Sequence, residues 1–184
     1  FTMTPSTTEY EIGSVVDGLT FAWSYNKAIV SQTLTDCTIA DEDVRTATYS
    51  LPISSNKTFT LTASDGTKTV TASKSISFKN KIYWGSAALP AGDFNSAFIL
   101  ALTGKKFATN YKGSYNITVG SGEYGFVCCP ASWNIPNTCK IGGFATDLVD
   151  CGNISFTNAS GASSLYKIVR TNISGLGSIT MVFE

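Results

Sequence analysis

The chain has 184 residues, with 13 basic and 13 acidic side chains, so its formal net charge is zero. Charged residues make up only 14%, while 43% are hydrophobic, which is enough for a packed core and argues against disorder. Zero net charge without a basic patch argues against nucleic acid as a partner and against adsorption on a membrane surface, and no apolar run approaches the ~20 residues of a membrane helix. The sequence opens at Phe1 without a signal-peptide pattern, as expected of a chain that begins after any targeting segment or is a piece of something longer. Its length fits one large or two small domains.

Histidine is absent. Imidazole is the usual general base near neutral pH and the commonest metal ligand, so most hydrolase triads and catalytic zinc sites are excluded. The five cysteines are Cys37, Cys128, Cys129, Cys139 and Cys151; an odd number cannot all pair within the chain, and no CxxC occurs. Cys128 and Cys129 are adjacent in a predicted strand, so their side chains point to opposite faces. The reading preferred here is small, buried apolar residues; a Cys139–Cys151 bridge is the alternative.

From residue 1 to about 80 the pattern is of short strands and turns. Leu19, Phe21, Trp23 and Tyr25 alternate onto one face, and further strands are expected at Ile29–Leu34 and Thr46–Leu51, on either side of an acidic stretch from Asp36 to Asp43. Phe59–Ala63 and Val70–Phe78 flank Asp65-Gly66, a pair that favours a tight hairpin turn. Short strands at this spacing, with a Trp on an early one, predict an immunoglobulin-like β-sandwich over 1–80.

Lys79-Asn80-Lys81 reads as a polar joint, and Ile82 opens a second β-rich unit, 81–184. Asp93 is an expected N-cap for a helix near 93–103, with Phe94, Ala97, Phe98, Ala101 and Leu102 on the packed face and Gly104 closing it. Strands follow at Ser114–Val119, Glu123–Cys129, Ile154–Thr157, Ser164–Arg170 and Ile179–Phe183. The fold class is therefore mainly β: a sandwich followed by a second, sandwich-like domain with one short helix. Between strands, 130–144 is a loop too long for a plain hairpin.

The order of these segments is familiar. Thr60-Leu61-Thr62-Ala63-Ser64-Asp65-Gly66, then Ser75-Ile76-Ser77-Phe78-Lys79-Asn80-Lys81, then Ile82-Tyr83-Trp84-Gly85, resembles a module of tailed-bacteriophage virion proteins. Gly122-Glu123-Tyr124, Cys129-Pro130-Ala131-Ser132, Ile141-Gly142-Gly143-Phe144 and Leu165-Tyr166-Lys167-Ile168-Val169-Arg170 are similar to the rest of it, so the resemblance covers residues 10 to 184. It implies a structural role in a tail, fibre, baseplate or capsid decoration, assembled in the bacterial cytoplasm and carried on the virion. Other virion proteins, copies of itself and host-surface carbohydrate or protein are the implied partners. It carries over no catalytic residue and no cofactor.

The acidic residues Asp36, Asp41, Glu42 and Asp43 lack the spacing of a calcium loop and read as a solvated turn. Asp147 and Asp150 are the one carboxylate pair weighed for glycoside hydrolysis, which needs two such groups about 5 to 9 Å apart in a cleft; a depolymerase on this pair is a minor alternative. Five Asn-x-Ser/Thr sequons, at Asn56, Asn116, Asn153, Asn158 and Asn172, support a different alternative, a secreted or cell-surface adhesin. Within the 130–144 loop, Trp133, Asn134 and Asn137 form the candidate contact surface, since Trp gives rigid contact area and Asn adaptable hydrogen bonds. Equally open is that Trp133 plugs the end of a sandwich.

Overall fold

The computed structural model describes residues 1–184 and is mainly antiparallel β with one short helix. The strands are β1 Thr2–Thr4, β2 Glu9–Glu11, β3 Leu19–Ala22, β4 Ser31–Leu34, β5 Thr46–Tyr49, β6 Lys57–Ser64 and β7 Thr69–Ala87. Helix α1, Ser96–Ala101, follows, and then β8 Gly104–Ala108, β9 Gly113–Val119, β10 Tyr124–Pro130, β11 Thr138–Ile141, β12 Phe144–Thr157, β13 Ser163–Thr171 and β14 Gly177–Phe183. They form a three-stranded sheet, β1-β3-β5, and an eleven-stranded sheet whose path runs β4-β6-β7-β10-β13-β12-β11-β14-β9, with β2 and β8 on β7. Neither sheet closes.

Two compact units divide the chain at Phe78/Lys79. In the first, strict alternation decides burial: Leu19, Phe21 and Trp23 are buried while Thr20 and Ser24 face solvent. Their core partners are Leu34, Tyr49, Phe59, Leu61, Ile76 and Phe78, with the Phe21 ring tilted against Phe59 at 4.8 Å between centroids. Gln32 is the polar hub beside this core. Its Oε1 accepts from Trp23 Nε1 (2.9 Å) and the Tyr25 hydroxyl (3.1 Å), and its Nε2 donates to the Asp41 and Val44 carbonyls. All four hydrogen-bonding positions of the amide are thereby used.

The hairpin joining β6 to β7 turns through a four-residue loop, since Ser64 pairs with Thr69. Only Gly66 has positive φ (+86°), so this is not the two-residue turn that Asp-Gly predicts; instead the Asp65 carboxylate caps the loop by accepting the Thr67 and Lys68 amides. Lys79-Asn80-Lys81, expected to be a joint, stays extended within β7, because Asn80 to Trp84 pair with β8.

In the second unit β10 is buried from Gly125 to Pro130 and separates two cores. Val127 and Cys129 face a cluster with Ile82, Tyr115, Ile117, Val169, Met181 and Phe183, and Phe126 and Cys128 face another with Tyr83, Ile99, Leu102, Phe156, Tyr166 and Ile168. The opposite facing of Cys128 and Cys129 is as expected from strand periodicity. All five cysteines are free, and Cys139 and Cys151 belong to different cores, so the Cys139–Cys151 bridge does not form.

Helix α1 covers the second core, but it is shorter than 93–103 and its cap is Asn95, whose side chain accepts the Phe98 amide at 3.0 Å, not Asp93. Its packed face is Phe98, Ile99 and Leu102, with Phe94 before the cap, while Ala97 and Ala101 are exposed. An Asn in the Asp-Phe-Asn-Ser run competes for the cap and moves the first turn two residues on. Gly104 does not close the helix. It starts β8, where a side chain would overlap the Trp84 indole.

Candidate functional site

The segment 130–144 is more ordered than a loop. A 3₁₀ turn, Ala131–Trp133, leads through Asn134 in left-handed conformation (φ +53°) to β11, and Gly142-Gly143 (φ +60° and +85°) then makes a two-residue hairpin into β12, with Ile141 paired to Phe144. Two consecutive positive φ values are what glycine supplies at no steric cost. β12 pairs with β11 over its first four residues and with β13 from Leu148 onward, and between Asp150 and Asn153 it carries a bulge. Such a bulge bends the strand and re-aims side chains.

Under the turn, the bulge opens a polar hollow of about 300 Å³, lined by Ala131, Asn134, Ile135, Asp150, Gly152, Asn153 and Lys167. Asp150 organises it. One carboxylate oxygen accepts the Gly152 amide (2.9 Å); the other accepts Asn137 Nδ2 (3.3 Å) and lies 3.1 Å from Lys167 Nζ. Lys167, a largely buried ammonium, also donates to the Ile135 carbonyl at 3.2 Å. The Gly152 amide first, with Lys167 and Asn137 behind it, holds the Asp150 carboxyl below its ordinary value despite some burial. Next to Lys167 across the strand pair stands Cys129, whose thiol burial pushes up to about 12, so it stays protonated.

Of the three residues expected to form a contact surface, Asn134 lines the hollow and Asn137 braces its carboxylate, while Trp133 packs half-buried against the core with Tyr115 and Met181. Asp150, Asn153 and Lys167 complete the site, and the one signal for them in the sequence is Asp-x-Gly at 150–152, an Asx-turn pattern inside a strand. Asp147 pairs with Thr138 on β11 and Asp150 with Val169 on β13, and of these two carboxylates Asp150 alone lines the hollow. The acidic stretch likewise disperses: Asp36 pairs with Lys57 at 2.6 Å, and Asp41 accepts the Asp43 and Val44 amides. The hollow thus gathers one compensated charge pair and the side-chain amides of Asn134, Asn137 and Asn153, an array of hydrogen-bond donors and acceptors.

No protein family, curated protein or solved structure matches this chain in comparisons of sequence and fold.

Proposed function

We propose that this chain is a non-catalytic structural component of a tailed-bacteriophage virion, a tail, fibre, baseplate or capsid-decorating element, which serves assembly and host-surface attachment. In this reading the first unit is an immunoglobulin-like β-sandwich and the second a sandwich-like domain carrying α1. A core fed from both β1-β3-β5 and β4-β6-β7 supports the first assignment, and strands on both sides of one core, with a helix over the other, support the second.

The observation that carries the reading is the ordered run of phage-like segments from Thr60 to Gly85, which here forms β6, the Asp65 loop and β7, the longest strand of the protein. Attachment is assigned to the hollow beside Asp150: a saccharide hydroxyl array matches its amides and its compensated ion pair, and many copies on a particle would turn weak contacts into durable adhesion. Five free thiols agree with assembly in a reducing cytoplasm.

Electron microscopy and native mass measurement of the source sample test this. Regular copies of the chain on a particle are expected. A glycosylated monomer with all but one cysteine in disulfides would overturn the proposal in favour of a secreted adhesin, using sequons such as the exposed Asn116 and Asn153.

A further inference from the structure

The two ends of the large sheet's path are β4 and β9. Free strand edges invite pairing with another chain, and proteins blunt them by shortness, charge, proline or bulges. Most outer strands here are blunted: β1 has three residues, β4 and β5 have four each, and β8 presents Lys105 and Lys106 within five. β9 is different. It is seven residues, Gly-Ser-Tyr-Asn-Ile-Thr-Val, without a charge or a proline, and its register with β14 is unbroken from Gly113 to Val119. β14 is the only strand paired with it.

We infer that β9 is the assembly edge of this protein, pairing antiparallel with β9 of a second copy across a two-fold axis through Asn116. The inference rests on the assembly reading above for its purpose, though not for its geometry. The sequence of β9 is self-complementary in that register. Asn116 meets Asn116, and Ser114 meets Thr118, so the exposed face becomes a ladder of small hydrogen-bonding side chains. Tyr115 and Ile117, buried in each unit, meet one another on the inner side, which continues the core pattern across the axis.

Charge agrees at the ends. One residue beyond the strand, Lys112 falls opposite Gly120 of the second copy, the residue whose amide is held by the Glu123 carboxylate at 3.2 Å. Neither Lys112 nor Glu123 has an ionic partner in its own chain. A two-fold interface uses such a pair twice, because every contact is repeated with the roles exchanged.

The test is the solution mass of the purified chain by sedimentation velocity, for the wild type and for Asn116→Lys and Asn116→Asp, two changes at an exposed position whose one bond is from the Thr180 hydroxyl. Wild type is expected to sediment as a dimer or a multiple of one at micromolar concentration. Each variant alone places like charges face to face and is expected to halve that mass, with unchanged circular dichroism. An equimolar mixture places Lys against Asp and restores it. A monomeric wild type, variants that keep the full mass, or a mixture that stays dissociated would each overturn the inference. None of these outcomes would touch the virion reading, which particle microscopy decides separately.

Discussion

Lys167 reaches across the β12–β13 pair to Asp150, Nζ to carboxylate oxygen 3.1 Å, and spends a second donor on the Ile135 carbonyl. One side chain thus pins the bulge and the turn that roofs it. Removing it as Lys167→Met leaves Asp150 with the Gly152 and Asn137 donors alone. The Asp150 carboxyl, held low in the folded protein, is then expected to rise toward the ordinary range of about 4, as read by carbon-detected NMR titration.

Asp150 also makes stability depend on pH in a definite direction. A carboxyl whose folded pKa is depressed contributes stability above its unfolded value of about 4, and that contribution is lost as pH falls through the lower folded value. Asp150→Asn is therefore expected to lower the melting temperature at pH 7 and to match wild type in strong acid. Because the pair is partly exposed and screened, the loss at pH 7 is about 1 kcal/mol or less. An equal deficit at both pH values would contradict the assignment.

Gly104→Ala is expected to be severe. The new methyl overlaps the Trp84 ring, itself packed 5.2 Å from Tyr115 between centroids, so β8 or the indole must shift at a cost of about 1–3 kcal/mol. Gly92→Ala, where a side chain meets open space, is the control and stays within about 0.5 kcal/mol of wild type in urea denaturation.

Gln32→Leu tests the hub of the first unit. The Trp23 indole N–H and Tyr25 hydroxyl lose their acceptor and two carbonyls lose a donor, which predicts a loss of about 1–3 kcal/mol and a shift in Trp23 fluorescence.

Thiol chemistry distinguishes the cysteines. Burial raises Cys128 well above its ordinary value and Cys139 to about 11, so these and Cys129 should resist alkylation at pH 8, while the half-exposed Cys37 and Cys151 react first. After denaturation without reductant, mass spectrometry should count five labels; three or fewer would reveal disulfides.

Strand periodicity was readable wherever one face is buried and the other wet, as at Leu19–Trp23 and Ser114–Val119, where alternation is strict. It failed where pairing rather than alternation holds a segment extended. Asn80-Lys81 and Gly104–Ala108 carry no such pattern, and they are extended because β7 and β8 pair there, Asn80 with Ala108 and Lys81 with Phe107. The helix was legible in its aromatic residues but not in its start, since Asp93 and Asn95 are both competent caps; the phase that forms sets Phe94 and Phe98 against Phe126, with centroids 5.9 and 4.9 Å away, and buries Ile99. The hollow was half legible. Asn134 and Asn137 lie in a visible connection, whereas Asp150 and Lys167 sit inside strands, on either side of a bulge where Cys151 and Gly152 stand against Ile168 alone.

The pairing of β9 with β14 joins Gly113 to Phe183 and Val119 to Gly177. A chain emerging from a ribosome therefore holds β9 without a neighbour until its residues up to Phe183 have been made. Met181 and Phe183, which complete the core behind Tyr115, arrive at the same moment. The second unit is thus a late-locking one: loop closure over some sixty residues precedes any reward from this pairing, which makes folding slow by topology. Until then the same uncharged edge offers itself to any passing copy, so a protein that assembles through β9 must keep its nascent chains apart.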